Sequence, residues 1–364
     1  MLDFFPSGRL TLYLAKTFIT RILAVLVMLV IVLLALDLLA KTGDILAVAG
    51  NTQAQVWHYA ELRLPQLIQQ FLPYSVLLAT IITLLTLNQN SEVIAMKAAG
   101  LSAHQVLAPL LLTALIVSGV SFVFNERIVT RATASLKAWE ASDYAAVPEA
   151  SNLRANVYVT DGEDVLSAAS QSGVGNNIVM RNVTWYDRDP EGQIVARSDA
   201  ATARFANPGW VLENGDQFRV QDATTRPFDR LVVGEDLTVE TVGLASVDPD
   251  TMSFFELKQS IDAYEEAGRR TSELKAKWWH KLSGPLSAFL MPLLGAIAAF
   301  GLARSGQLFV RAIIGMALGF AYSVVDNAAL AMGSFGGYPP LLAAWAPFVL
   351  FALIGETVLI RTEE

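Results

Sequence analysis

The sequence lacks several residue types and motifs on which common protein functions depend. It has no cysteine and only three histidines, His58, His104 and His280, which excludes disulfides, thiolate catalysis and most structural zinc sites. No G-x-x-x-x-G-K-[ST], H-E-x-x-H or G-x-S-x-G motif occurs. We therefore predict that the chain does not hydrolyse ATP by the phosphate-loop route. We also predict that it holds no catalytic residue, metal ion or cofactor.

Charge is scarce as well. Asp, Glu, Lys and Arg make up 16% of the residues, whereas apolar residues make up 53%, a balance typical of membrane proteins. The formal net charge of −8 is concentrated in residues 125–253, which contain 20 acidic and 11 basic residues. An acidic middle segment favours a solvated domain and argues against nucleic acid as a partner.

Six long apolar runs are the main positive feature of the sequence. They cover residues 22–36, 67–87, 106–124, 282–303, 312–332 and 341–360. Each is about long enough to cross a bilayer as a helix, although the first needs neighbouring residues to complete the span. The sequence therefore predicts a membrane α-helical protein with six transmembrane helices, three on either side of a large domain.

Positive charges in the short connections indicate the orientation of the chain. They precede the first run, separate the fourth from the fifth and follow the sixth: Arg9, Lys16, Arg21, Arg304, Arg311 and Arg361. The connection 333–340 has no charge. This pattern predicts a multi-pass protein with both termini in the cytoplasm and the middle domain outside it. Lys275, Lys277 and Lys281 depart from the pattern because they lie on the outer side, and we interpret the exception as functional.

The middle domain has the pattern of an all-β fold. Apolar and polar residues alternate over 156–160, 178–186, 194–205, 211–220 and 231–239. Asp161-Gly162 and Asn214-Gly215 are two-residue hairpin signals. Many short antiparallel strands predict a sandwich, a jelly roll or an open barrel, and a domain that acts only as a scaffold stays an alternative. Ser253 and Glu256 then form a capping box that begins an amphipathic helix.

Charged residues at membrane depth are costly and usually face the interior of a helix bundle. Asp37 lies near the outer end of the first span, and Lys41 follows one turn later on the same face. Asp326 lies in the outer third of the fifth span, where either a structural hydrogen bond between helices or a functional role explains it. For Glu356, near the inner end of the sixth span, snorkelling to the interface is the favoured explanation.

The inner loop 88–105 contains the most specific local pattern. Asn90 or Ser91 can begin a short helix, Gly100 can end it, and Ser102 can begin the next helix. The pattern predicts a two-turn helix at the cytoplasmic face that exposes three residues to a soluble motor protein, or else an ordinary loop. Those residues are Glu92, Val93 and Met96.

Five motifs in order resemble the YjgP/YjgQ permeases, the LptF/LptG family of the lipopolysaccharide exporter. The loop 91–100 is similar to the S-E-(apolar)-x-x-M-x-A-x-G segment of that family. The motifs around Pro65 to Pro73, Trp279 to Ser287, Gly319 to Asp326 and Pro339 to Pro347 match as well. The first span, with Leu-Asp-Leu at 36–38 followed by Lys41, is more similar to LptG than to LptF. His280 stands where the family usually has arginine.

The resemblance implies a permease subunit that extracts lipopolysaccharide from the bacterial inner membrane. It further implies a pairing with an LptF-like subunit, a cytoplasmic LptB-like ATPase dimer, and transfer to LptC/LptA-like periplasmic jelly-roll proteins. The expected divisions are 1–124 with the coupling loop 88–105, a periplasmic jelly roll at 125–253, a connecting helix at 254–277 and helices four to six at 278–364.

The same resemblance suggests a substrate path. Acyl chains would enter between spans one and five beside Phe71, and phosphates would meet cations at the outer rim. The expected substrate-binding residues are Asp37, Lys41, Phe71, Lys275, Lys277 and Lys281. A transmembrane lipid-modifying enzyme and a ligand sensor are the alternatives. The first needs an embedded nucleophile or metal site, and the second needs a cytoplasmic output domain.

Overall fold

The computed structural model describes residues 5–145, 154–173, 175–245, 247–266, 268–297 and 308–361. The chain forms two compact units. The helical unit comprises Met1–Leu36, Leu64–Val129 and Gly268–Glu364, and the sheet unit comprises Asp37–Arg63 and Thr130–Ala267. The predicted fold class, a membrane α-helical protein with an inserted all-β domain, is confirmed.

Helices make up most of the chain. In order, they are α1 Gly8–Ala47, α2 Gln53–Gln89, α3 Glu92–Ala98, α4 Ala103–Phe124, α5 Thr130–Ala141, α6 Val239–Ala245, α7 Phe254–Glu266, α8 Ser272–Ala296, α9 Leu308–Ser334 and α10 Pro340–Arg361. A π-helical turn, Asn125–Val129, joins α4 to α5.

Five helical stretches within the described residues are long and apolar enough to cross a membrane. They are Gly8–Ala47, Gln53–Gln89, Ala103–Ala141, Ile313–Ser334 and Pro340–Arg361. They contain four of the six predicted runs in full and all but the first residue of a fifth, 312–332. The remaining run, 282–303, begins within α8, and its part after residue 297 lies outside the described residues. With 40 residues, α1 is about 60 Å long. Because the hydrocarbon core is about 30 Å thick, this helix extends beyond it.

One face of α1 builds part of the core of the helical unit. Leu14, Phe18, Ile22, Leu26 and Val30 recur every fourth residue and are buried, as expected for an apolar stripe that faces neighbouring helices. They share this core with residues of α2, α4 and α8. Burial of this stripe therefore fixes which side of α1 faces outward.

The sheet unit contains one six-stranded antiparallel sheet. Its strands are β1 Arg154–Asp161, β2 Asp164–Ser172, β3 Val179–Arg188, β4 Ile194–Phe205, β5 Trp210–Arg219 and β6 Thr224–Val233. Each strand pairs with the next one in the chain, so the order is β1-β2-β3-β4-β5-β6. The described strands therefore form a sequential meander.

One of the two predicted hairpin turns is wrong. A two-residue turn does join β1 to β2, but it consists of Gly162 and Glu163, because Asp161 is the last residue of β1 and pairs with Asp164. Asn214-Gly215 lies inside β5. Gly215 pairs with Ala200 on one side and with Phe228 on the other. A Cβ atom at this glycine would sit 2.6 Å from the ring of Phe228. Close packing, and not a turn, is therefore what requires glycine there.

The sheet has one apolar core. Val157, Leu166, Met180, Trp210 and Leu212 are buried in it. The indole of Trp210 donates a hydrogen bond to the carbonyl of Leu237 at 3.0 Å, which satisfies its polar atom in an apolar setting.

The capping box predicted before α7 is confirmed. The backbone N–H of Ser253 donates to the Glu256 carboxylate at 2.8 Å, and the N–H of Glu256 donates to the Ser253 hydroxyl at 3.3 Å. Leu257 and Ile261 form the buried face of the helix. The apolar face that the sequence predicts for this helix is therefore the face that is buried.

Candidate functional site

The short helix predicted in the inner loop is present as α3, but its predicted exposed face is wrong. Val93 and Met96 are 4% and 8% exposed and belong to the core of the helical unit. They anchor α3, because two apolar side chains one turn apart gain more from burial than from facing water. Ile94, which the sequence argument did not select, is 62% exposed. The surface of α3 that faces away from the bundle is therefore built around Ile94.

Glu92 begins α3 and is held in place. The Tyr13 hydroxyl donates to its carboxylate at 3.1 Å, and the Asn90 amide donates at 3.3 Å. Since Tyr13 lies on α1, this hydrogen bond ties the start of α3 to the first long helix. A change in the position of α3 therefore reaches α1 directly.

Both ends of α3 are well defined. Ser91, at the N-cap, has a φ of 60° and makes no side-chain capping bond. At the other end the Leu101 N–H donates to the Met96 carbonyl at 3.1 Å, which is the bond of a Schellman motif. Ser102 and Gln105 form the predicted capping box at the start of α4. These bonds make α3 a separate short element between α2 and α4.

Asp37 has partners on α2. The Tyr59 hydroxyl and the Arg63 Nε donate to the same carboxylate oxygen at 2.8 and 3.0 Å. The local spacing had suggested Lys41 as the neighbour on one face, but the carboxylate is bonded across the helix hairpin. Asp37 therefore joins the C-terminal part of α1 to the N-terminal part of α2.

Lys41 lies beside an aromatic cluster of the sheet unit. The ring of Tyr144 is 5.3 Å from that of Trp139 and 6.2 Å from that of Tyr59. Burial raises the pKa of the Tyr144 hydroxyl, and the positive charge of Lys41 opposes that rise. The lysine is half-buried, so its stem packs while its charge stays near the surface.

The three lysines in the first half of α8 do not share one face. Lys277 and Lys281 are one helical turn apart, whereas Lys275 points in a different direction around the axis. All three are half-buried. An anion that reaches this helix from one side therefore meets the pair Lys277 and Lys281 together.

Phe71 packs against the core of the helical unit. Its ring is 5.9 Å from that of Tyr74, and the Tyr74 hydroxyl donates to Ser323 on α9 at 2.8 Å. The predicted substrate residue thus lies next to a polar contact between α2 and α9.

Asp326 is paired with a residue that the sequence argument left aside. Its Oδ2 is 3.0 Å from Nε2 of His280 on α8. An ionised carboxylate only accepts hydrogen bonds, so in that state of Asp326 the proton of the contact is on Nε2. The sequence contained a signal for this pair that was not used, because histidine stands where the resembling family usually has arginine. A second pair, His104 and Glu356 at 2.9 Å, joins α4 to α10.

The outward face of α1 is apolar and exposed. Leu23, Val27, Ile31 and Leu36 are each more than half exposed, and Leu39 is 80% exposed. An apolar stripe of this length does not face water in a stable protein. Lipid or another membrane helix therefore covers it.

Comparison with known proteins agrees with this arrangement. Residues 12–361 match the family described as lipopolysaccharide export system permease LptF/LptG. The chain is 26% identical to the Escherichia coli K12 lipopolysaccharide export system permease protein LptG, over 98% of this chain and 99% of that protein. It is 23% identical to the Haemophilus influenzae protein of the same name, over 94% of this chain and 95% of that protein.

Proposed function

The chain belongs to the LptF/LptG family of lipopolysaccharide export permeases, and on this premise we propose how its two units act in export. As a member of that family it is a multi-pass protein of the inner membrane and a permease subunit, not the ATPase of the system. The observation that carries the proposal is the extent of the match, residues 12–361, which includes both units.

The helical unit works with a homologous LptF-like subunit and a cytoplasmic LptB-like ATPase dimer. Both termini and α3 are cytoplasmic, in keeping with the basic residues in the first half of α1, Arg9, Lys16 and Arg21, and with Arg361 at the end of α10. The ATPase contacts α3 through Glu92 and Ile94, while Val93 and Met96 hold the helix on the bundle. The hydrogen bond from Tyr13 to Glu92 supports this role, because it connects the contact point to α1.

The sheet unit is periplasmic and receives the lipid. Its apolar core can shield acyl chains from water. Exposure of these chains to water costs about 0.8 kcal/mol per CH₂ group. Asp37 and Arg63 brace the helix hairpin from which Lys41 meets a lipid phosphate. Lys275, Lys277 and Lys281 on α8 are the further cations for the headgroup. LptC/LptA-like jelly-roll proteins accept the lipid next.

Reconstitution tests this function. The chain is placed in liposomes with its partner permease, the ATPase and lipopolysaccharide, and release of lipid to a soluble periplasmic acceptor is measured. We expect release that needs ATP and that is lost when this chain is left out. The matched control replaces lipopolysaccharide with a phospholipid, which should not be released. Equal release without this chain would contradict the proposal.

A further inference from the structure

Helix α9 packs against the other helices of the helical unit through one narrow face. Gly319 and Gly333 lie on that face, and a Cβ atom at either position would collide with a neighbour, Leu77 on α2 or Ala343 on α10. The backbone of α9 therefore approaches both helices closely at these two points. The opposite face is apolar and exposed, with Phe320 at 66% and Val324 at 51%.

Asp326 occupies the middle of the packing face, two helical turns from each of the two glycines. Its carboxylate bonds to His280 on α8 at 3.0 Å, and the two side chains are 13% and 29% exposed. Gly284, one turn after His280, leaves room for the ring, because a Cβ atom there would lie 3.3 Å from it. The polar pair thus lies between two apolar contacts of one helix.

This pair is poorly suited to act as a simple stabiliser. The second oxygen of Asp326 is buried and has no hydrogen-bond partner among the described residues, and the same holds for the hydroxyl of Tyr322 one turn away. A buried ion pair with incomplete bonding gains little over an apolar pair of the same size. It does restrict the register of the two helices, since a slide of one residue along the axis would separate the carboxylate from the imidazole nitrogen.

We propose that the Asp326–His280 contact sets the axial position of α9 on α8. Asp326 is then a positioning residue that acts through His280. The contact determines which part of the exposed α9 face, around Phe320 and Val324, is presented to the lipid. That last step rests on the proposed export function, whereas the control of register does not.

Disulfide trapping measures the register directly, because the chain has no native cysteine. A Cβ atom at Gly333 would lie 3.5 Å from that of Ala276 on α8, within the range of disulfides, about 3.5–4.5 Å. The test chain carries Ala276→Cys and Gly333→Cys, with Ala343→Gly to make room. We expect Asp326→Leu to slow disulfide formation about tenfold, as losing one charge-assisted hydrogen bond would.

Three variants separate positioning from general packing. Ser323→Ala removes a different polar contact of α9, the 2.8 Å bond from Tyr74, and should leave the rate unchanged. His280→Arg supplies a donor to the Asp326 carboxylate and should also keep the rate. Either His280→Asp or Asp326→His alone should slow disulfide formation. The exchanged pair, which carries both changes, should restore the rate.

The proposal is overturned if Asp326→Leu leaves the disulfide rate unchanged, or if the exchanged pair is as slow as the single variants. An equal loss in Ser323→Ala would overturn it too. A photo-crosslinker at Phe320 gives the second readout, and its capture of lipopolysaccharide should fall about tenfold with Asp326→Leu. Failure of the unsubstituted chain to capture lipid at Phe320 contradicts the proposed lipid route, while the disulfide result still decides the register.

Discussion

Asp37 and Lys41 are one turn apart on α1, but their surroundings give them different roles. Asp37 is bonded to Tyr59 and Arg63, whereas Lys41 lies beside Tyr144 with its charge near the surface. The lysine is therefore not needed to balance Asp37. This leaves its charge available for an anionic headgroup.

Replacing Lys41 with Glu should weaken the capture of lipopolysaccharide by the reconstituted permease. The loss should be larger at low salt than at high salt, because a partly exposed charge acts through a field that salt screens. The measurement is photo-crosslinking of the lipid at two salt concentrations. Lys137→Glu is the control, since that lysine bonds to Asp248 at 2.6 Å within the sheet unit. Unchanged capture in the Lys41 variant at both salt concentrations would show that this residue does not bind the lipid.

Arg63 should matter for stability. Arg63→Gln removes a charge-assisted hydrogen bond to a partly buried carboxylate and should lower the free energy of unfolding by about 1–2 kcal/mol. Denaturation in mild detergent measures the change. Arg226→Gln, on the exposed part of β6, is the control and should stay within about 0.5 kcal/mol. A loss no larger than that of the control would mean that the Asp37 contact contributes nothing to folding.

At the scale of elements, the proposed contact between α3 and the ATPase can be tested by single substitutions. Ile94→Asp should abolish binding of the ATPase, because it places a charge on the exposed apolar contact, while insertion and folding stay normal. Glu92→Arg should also release the ATPase or uncouple its turnover, since it removes the acceptor for Tyr13. Co-purification and ATPase assays provide the readout, with Ile94→Val as the matched control. Normal binding and transport in both charged variants would rule out α3 as the coupling element.

The sequence predicts the type of an element where one local pattern, such as a long apolar run or a capping box, dominates. It does not predict which other elements that element contacts. The long apolar runs gave the membrane helices, and Ser102 with Gln105 gave the start of α4. The exposed side of α3 was not predictable, because the bundle surface that buries Val93 and Met96 comes from other parts of the chain. The turn predicted at Asn214-Gly215 is wrong for a similar reason. Glycine is needed there because the ring of Phe228, on the neighbouring strand, leaves no room for a Cβ atom.

The candidate site shows the same limit. Local spacing suggested Lys41 as the neighbour of Asp37, but a helix hairpin brings in Arg63, 26 positions later. Asp326 was recognisable as a costly intramembrane charge, while its partner His280 lies 46 positions away in the chain. Charges at membrane depth can thus be picked out from sequence, and their partners need the fold.

At the scale of the whole molecule, we predict that a helix of a second permease subunit, and not only lipid, covers the exposed apolar face of α1. Leu23, Val27 and Ile31 form the middle of that face. Purification of the tagged chain in mild detergent should bring with it a homologous permease subunit and the ATPase. Ile31→Arg should reduce recovery of the second permease, whereas Leu12→Arg, exposed near the start of α1, should not. Recovery of the chain alone under all conditions would contradict an assembly.

The central claim is that lipopolysaccharide reaches the apolar core of the sheet unit when ATP is consumed. Leu231 on β6 packs against that core, and the next residue, Val232, is half exposed on the other face of the strand. A photo-crosslinker at each position, in the reconstituted complex, tests the claim most directly. We predict capture of lipopolysaccharide at Leu231 only with ATP, and none at Val232. Equal capture at Leu231 without ATP, or no capture while export continues, would contradict the account.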